Sequence, residues 1–201
     1  MARELVLATR NRGKIEEMQR LFDSFSLGLH VRSSSEFDLP DVEETGSTFE
    51  ENAALKATTI SRATGLPAIA DDSGLCVDAL DGAPGIFSAR WAGVHGDDKA
   101  NIARLLDQVT DVPDVKRTAY FVCAIALALP NGALELVRGE LRGVLRREVA
   151  GSNGFGYDPI FQPDGFAVTL AEMSPSQKDE ISHRGRALRE IAPRIASFIG
   201  L

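Results

Sequence analysis

Leu5-Val6-Leu7-Ala8-Thr9-Arg10-Asn11-Arg12-Gly13-Lys14 is an apolar run that gives way to small, polar and basic residues where a helical pattern begins. Ile15, Met18, Leu21 and Phe22 then recur at helical spacing, and a strand over 29–32 closes a βαβ-like unit, so the chain starts as an α/β fold. The turn has the outline of a phosphate cradle. Thr9 and Asn11 turn the chain with side-chain hydrogen bonds, Gly13 admits close backbone approach, the first helical N–H groups point at an anion, and Lys14 adds a full positive charge. It is not the common P-loop, which needs Gly where Ala8 stands and Ser or Thr where Ile15 stands. An ordinary strand-to-helix turn with a surface lysine is the competing reading of this segment alone.

The alternation of strand and helix continues. Ser47 and Thr48 precede Glu50 and Glu51 in a capping-box arrangement, and the helix from Ala53 to Thr64 stops at Gly65 and Pro67. A short apolar run over 66–70 delivers Asp71-Asp72-Ser73-Gly74, which places the acidic pair at a strand end, and a second run from Leu75 to Leu80 follows. Asp97 or Asp98 caps a helix carrying Ile102, Leu105 and Leu106. Tyr120–Leu129 and Ala133–Val137, divided by Asn131-Gly132, form the clearest hairpin. The stretch from Gly151 to Pro159 is too rich in glycine for regular structure and reads as a binding loop. Leu188, Ile191, Ile195, Phe198 and Ile199 share one face of a last helix that Pro193 is expected to kink or interrupt. No repeat or low-complexity linker divides the chain, and 201 residues suit one mixed α/β domain.

Composition excludes several classes. A net charge of −7 with scattered basic residues argues against a duplex-binding surface that works by counterion release. No segment approaches the roughly 20 apolar residues of a membrane span, and Met1-Ala2-Arg3-Glu4 leads straight into a strand with no signal peptide visible. Cys76 and Cys123 both lie in apolar runs, the setting of buried free thiols in a reducing cytoplasm.

The residues suited to chemistry are mostly acids and lysines. Asp71 and Asp72, with Glu43 or Glu44 from another loop, offer hard oxygen ligands, and magnesium commonly takes one or two carboxylates plus waters and substrate phosphates. Manganese is a possible substitute on the same donors. One of these carboxylates could also accept a proton from an attacking water. Lys14 and Lys56 are matching cations for a triphosphate. Phe155, between Gly154 and Gly156, has an unhindered backbone and a ring on which a planar base could stack; a loop anchor tucked into the core is the plainer alternative. Ser182-His183-Arg184-Gly185 offers donors to a carbonyl, although such a pair is often simply a surface feature.

Six segments in this order resemble the house-cleaning pyrophosphatases of the inosine and xanthosine triphosphatase family: Thr9-Arg10-Asn11-Arg12-Gly13-Lys14; Glu43-Glu44-Thr45-Gly46 leading to Phe49-Glu50-Glu51-Asn52-Ala53 and Lys56; Ala70-Asp71-Asp72-Ser73-Gly74-Leu75; Gly82-Ala83-Pro84-Gly85; Gly154-Phe155-Gly156-Tyr157-Asp158-Pro159; and Ile181-Ser182-His183-Arg184-Gly185. The resemblance implies hydrolysis of dITP, ITP and XTP to the monophosphate and pyrophosphate, with Mg2+. It implies that Thr9, Arg10, Asn11, Arg12, Gly13 and Lys14 hold the triphosphate with help from Lys56, that Asp72 is the proton acceptor and a metal ligand beside Glu44, and that Ser73 touches substrate. Phe155, Gly156, Tyr157, Asp158, Lys178, His183 and Arg184 are implied to hold base and sugar. An arginine at position 10, where the family often has Gly, is a departure from the pattern. The implied architecture is an elongated mixed sheet flanked by helices, residues 1–201 forming one two-lobed domain with a cleft, in a cytoplasmic homodimer.

Overall fold

Strand and helix alternate at the N-terminus as the apolar pattern requires. β1 (Arg3–Leu7) and β2 (Leu29–Ser33) pair in parallel, Leu5 opposite Val31, with α1 (Arg12–Phe25) as the crossover. This computed structural model describes residues 3–25 and 27–200; the start of the chain at Met1 and Ala2, where no signal peptide is visible in the sequence, lies outside the described residues. α2 (Phe49–Thr64) is capped by Thr48, whose hydroxyl accepts the Glu51 N–H, and ends at Gly65 in the left-handed region. The Glu51 carboxylate reaches back to the Ser47 N–H, so the reciprocal half of the expected capping box falls one residue earlier.

β3 (Ala68–Val77) pairs in parallel with β1, Val6 opposite Ala68, and it corrects one expectation. The two apolar runs are a single strand, and Asp71-Asp72-Ser73-Gly74 lies inside it. Polarity does not break the strand because cationic side chains meet both carboxylates, as described below. β4 (Thr118–Ala128) and β5 (Leu134–Leu145) form the predicted hairpin, in which Gly132 takes φ 93° and the Ala133 N–H donates to Asn131 Oδ1. β6 (Phe161–Pro163) runs antiparallel to β5, giving a mixed sheet in the order β2-β1-β3-β4-β5-β6. The remaining helices are α3 (Asp98–Gln108), α4 (Pro175–Ile181) and α5 (His183–Phe198). Of the kink or interruption expected at Pro193, the interruption does not occur, and α5 runs through the proline. Leu188, Ile191 and Ile195 on its apolar face are fully buried, and that packing outweighs the one backbone hydrogen bond a proline removes.

The chain forms two compact units. Unit 1 comprises Met1–Asp72, Cys123–Gly139 and Arg184–Leu201; its core includes Leu5, Leu7, Met18, Ile69, Ile125 and Leu188. Unit 2 comprises Ser73–Val122 and Glu140–His183, with Leu75, Leu105, Phe121, Leu141, Ile160 and Phe161 in its core. Cys76 and Cys123 are buried free thiols, as expected. Among the described residues no helix is long and apolar enough to cross a membrane.

Candidate active site

In unit 1 the β1–α1 turn is built as its residue types suggest. Thr9 Oγ1 accepts the Asn11 N–H at 3.2 Å, and Asn11 Oδ1 accepts the Lys14 N–H at 3.1 Å, which fixes the first turn of α1. The Lys14 side chain, 13% exposed, runs inward to place Nζ 3.1 Å from Asp71 Oδ2. Arg12, by contrast, is 92% exposed and pairs with Glu16. Arg10 reaches Asp41 at 2.7 Å and the Leu39 carbonyl, so neither arginine joins Lys14 at Asp71.

Asp71 and Asp72 are consecutive on β3, so their side chains leave opposite faces of the strand. Asp71 Oδ2 accepts from Arg184 Nη2 at 2.9 Å and Nε at 3.3 Å, in addition to Lys14. Arg184, 1% exposed, gives Nη1 to the buried Glu17 carboxylate. Glu17 stands three residues after Lys14 on α1, near one helical turn away, so Lys14, Asp71, Arg184 and Glu17 make an alternating chain of buried charges. Burial opposes the charge on Asp71, but Lys14, Arg184 and Lys56 overcome it and hold the carboxyl well below the usual range. Burial likewise opposes the Arg184 charge, yet Asp71 and Glu17 raise its pKa.

Asp72 meets a different set of groups. Lys56 Nζ lies 2.7 Å from Glu44 Oε1 and 3.3 Å from Asp72 Oδ1, so one ammonium gathers two carboxylates. Asn52, fully buried on α2, donates to Asp72 Oδ2 at 3.1 Å and accepts the Gly46 N–H at 2.8 Å, tying the loop that carries Glu44 to the strand that carries Asp72. Burial pushes the Asp72 carboxyl above its ordinary range and Glu44 adds to this, while Lys56, Lys14 and the Asn52 hydrogen bond offset part of it. Burial works against the Lys56 charge, but Asp72, Asp71 and Glu44 keep its pKa raised. Glu43 is exposed whereas Glu44 turns inward, which distinguishes two residues that the sequence alone left open.

The donor set suits a hard divalent cation. Two carboxylates converge on a position already taken by positive charge, and magnesium asks for only one or two carboxylates when waters and phosphates complete its shell. Among the described residues no group of three or more His, Cys, Asp or Glu is placed to hold a metal, and waters and substrate oxygens would complete the shell around Glu44 and Asp72.

In unit 2 the loop from Gly154 to Tyr157 is irregular, with Gly154 at φ 74° and Gly156 at φ 60°, and the end of the stretch read as wholly irregular, Asp158-Pro159, instead opens a 3-10 turn over Asp158–Ile160. Asp158 Oδ2 accepts the Phe155 N–H at 2.9 Å and Lys178 Nζ at 2.5 Å, both carboxylate and ammonium being buried. Lys178 Nζ also lies 4.9 Å from the centre of the Phe155 ring, a cation–π contact. Tyr157 is a buried anchor whose hydroxyl donates to the Ser88 carbonyl at 2.9 Å. The His183 ring stacks on Phe121, centroids 4.7 Å apart and planes 7° from parallel. Ser73 follows Asp72 on β3 and is half-buried.

Arg184 is the residue whose surroundings differ most from those implied. The family resemblance groups it with the base-holding residues, whereas its guanidinium donates to two buried acids, Glu17 and Asp71. Glu17 is missing from the site residues read from sequence, and Asp71, read there as an oxygen ligand, is occupied here by Lys14 and Arg184. Glu17 carries one signal: with Lys14 and Leu21 it keeps a helical i, i+3 and i+4 relation, which puts an acid on the buried side of α1.

The profile of the Ham1 family matches residues 5–194. A dITP/XTP pyrophosphatase of Streptomyces avermitilis is 55% identical over 197 residues, covering 98% of each chain. The structure of a HAM1 protein from Coxiella burnetii superposes with a TM-score of 0.88 at 44% identity, covering 97% of this chain and 99% of that one. The crystal structure of a nucleoside-triphosphatase, dITP/XTP pyrophosphatase, from Mycobacterium abscessus gives 0.77 at 48% identity over 94% of this chain and 99% of that one. The order of strands and helices, the convergence of Lys14, Lys56, Glu44 and the aspartates, and near full-length identity on this scale place the chain in the Ham1 family.

Proposed function

We propose that this chain hydrolyses dITP, XTP and ITP to the nucleoside monophosphate and pyrophosphate, removing non-standard purines from the nucleotide pool before they enter DNA and RNA. The observation that carries the reading is the Lys56 ammonium drawing together Glu44 and Asp72, on a strand whose other aspartate holds Lys14. That is a site with two carboxylates for a metal and two lysines for phosphate charge. The relatives carrying the dITP/XTP pyrophosphatase name match nearly the whole chain, so the reaction has been assigned to proteins of this architecture.

In this reading the triphosphate is held by the turn from Thr9 to Lys14, chiefly through its backbone N–H groups and Lys14, with Lys56 assisting. Asp72 orients the attacking water and takes its proton; a buried, elevated carboxyl is a more effective base than an exposed one. Glu44 and Asp72 would hold Mg2+, or Mn2+ in its place, and a metal bound there makes water more acidic and offsets phosphate charge. The base rests on Phe155. Lys178 and His183 present donors to the oxygen at position 6 of hypoxanthine or xanthine, where adenine carries a donor of its own, so the unwanted pairing leaves polar groups unmatched. A homodimer in the cytoplasm, where these nucleotides circulate, completes the reading and rests on the family resemblance.

The test is to incubate purified protein with dITP, XTP, ATP, GTP and dTTP, with and without magnesium, and to separate monophosphate plus pyrophosphate from diphosphate plus phosphate. Magnesium-dependent pyrophosphate release mainly from dITP and XTP is expected, and Asp72→Asn should lower it by about 10²- to 10⁴-fold, the scale of a general base. A preference for dTTP would point to a pyrimidine-directed pyrophosphatase, and binding without turnover to a nucleotide sensor; either would overturn the proposal.

A further inference from the structure

Asp98 opens α3, and the sequence offers it beside Asp97 as a cap. Its neighbour Asp97 does the capping, accepting the Ala100 N–H at 3.0 Å, which leaves the Asp98 carboxylate for another task. Asp98 Oδ2 accepts the Gly156 N–H at 2.7 Å, across 58 residues of sequence. The preceding amide, Phe155 N–H, goes to Asp158. Two consecutive loop amides, those on either side of the Phe155 side chain's attachment, are therefore each held by a carboxylate.

The helix that carries Asp98 is firmly set. One turn on, Asn101 accepts the Ala92 N–H at 2.7 Å and donates to the Ala89 carbonyl at 3.2 Å, while Ile102 and Leu105 belong to the core that also contains Tyr157 and Ile160. The loop is the softer partner. Gly154 and Gly156 have no Cβ to restrict their dihedrals, so the hydrogen bonds of the peptide between them take on the task of limiting its freedom. A carboxylate-to-amide bond is of the stronger, charge-assisted kind.

We propose that Asp98 is a positioning residue for nucleotide selection: by fixing Gly156 it sets the plane of the Phe155 ring and keeps that ring beside Lys178, ready to receive a purine. This rests on the reading that the loop holds the base. Asp98 touches neither phosphate nor the Asp72 water in that reading, so its contribution falls on binding of the base portion of the substrate. Pre-organising a binding loop strengthens binding by removing the cost of ordering it.

Asp98→Ala, Asp98→Asn and Phe155→Ala are compared with the parent protein using dITP as substrate and inorganic tripolyphosphate, which has no base, as competitor. For Asp98→Ala we expect KM for dITP to rise about tenfold with kcat within about twofold, an unchanged inhibition constant for tripolyphosphate, and faster amide hydrogen exchange confined to the peptide covering 152–158. Asp98→Asn, which retains an acceptor oxygen, should recover much of the loss. An unchanged KM in Asp98→Ala, with Phe155→Ala raising it, overturns the role of Asp98 alone. A parallel rise in KM and in the tripolyphosphate constant also overturns it, because the effect would then be general. If Phe155→Ala leaves KM for dITP unmoved, the base-holding reading of the loop fails instead.

Discussion

Replacing Glu17 by Ala tests the buried charge chain directly. Arg184 is 1% exposed and has two acidic partners, Glu17 on Nη1 and Asp71 on Nε and Nη2. Removing one partner leaves a guanidinium that water cannot reach and that one carboxylate, already shared with Lys14, must neutralise. Breaking a buried pair in this way costs about 3–5 kcal/mol, and because Asp71 remains in place we assign the low end, about 3 kcal/mol. For a protein of 201 residues a loss of 1 kcal/mol lowers Tm by about 2–4 °C, so Glu17→Ala should melt about 6–12 °C below the parent. Glu17→Gln keeps an acceptor oxygen for Nη1 and loses only the charge, and should fall roughly halfway. Thermal melts followed by circular dichroism, with urea titrations to check that the m-value is unchanged, give both numbers. A Glu17→Ala protein that melts within about 2 °C of the parent would refute the argument, since it would mean that Arg184 needs no second acid.

Other consequences follow from close contacts. Gly154→Ala would place a methyl 2.0 Å from Asp158 Oδ2 in a backbone at φ 74°, so Asp158 must move off Lys178; we expect KM for dITP to rise at least fivefold, measured by steady-state kinetics. Gly46→Ala would bring its Cβ to 2.7 Å from Asn52 Oδ1 and displace the side chain that orients Asp72; the expected result is a loss of about 1–3 kcal/mol in urea unfolding and a lower kcat. Both thiols should be silent to a thiol reagent at pH 8 in the native protein and react fully in denaturant, because Cys76 and Cys123 are buried and burial, with Asp71 nearby, pushes the Cys123 thiol up, so raising pH through the ordinary thiol range generates no thiolate there.

The parts of the fold that the residues announced are those governed by local chemistry. Thr9 and Asn11 turn the chain and fix α1, Thr48 and Gly65 bound α2, and Asn131-Gly132 makes the hairpin, each through contacts a few residues apart. The misreadings came where long-range electrostatics decide. Asp71-Asp72 reads as the end of a strand because two charges do not belong inside one; Lys14, Lys56 and Arg184, brought from 16 to 113 residues away, make them tolerable there. The same distance hides the partners of Glu17 and Asp98. A single acid on a helix reads as solvated surface until its partner, Arg184 or the Gly156 amide, is known. That Pro193 does not interrupt α5 has a related reason, since the packing that carries the helix through it belongs to the whole core of unit 1.

In the proposed mechanism the register of β3 gives its two adjacent aspartates different duties. Side chains alternate faces along β3, so Asp71 faces the cations of α1 and α5 and Asp72 faces Lys56 and Asn52 of α2. A slip of one residue would exchange them; the pairing of Val6 with Ala68 and Leu7 with Ile69 prevents it. The exchange would matter because the surroundings are not equivalent. Lys14 and Arg184 favour the charged form of Asp71 so strongly that it is a poor proton acceptor, whereas burial and Glu44 raise the Asp72 carboxyl above its ordinary range, the direction the proposed role as base requires. Neutralising each in turn should therefore separate stability from turnover. Asp71→Asn leaves Lys14 and Arg184 short of a counter-charge and is expected to lower Tm by several degrees, on the scale of a broken buried pair. Asp72→Asn removes a charge that burial disfavours, leaves Lys56 with Glu44, and should melt within about 2 °C of the parent while losing its pyrophosphate release. Equal melting temperatures for the two variants, or retained turnover in Asp72→Asn, would show that the strand does not divide structural and chemical duties between neighbouring residues.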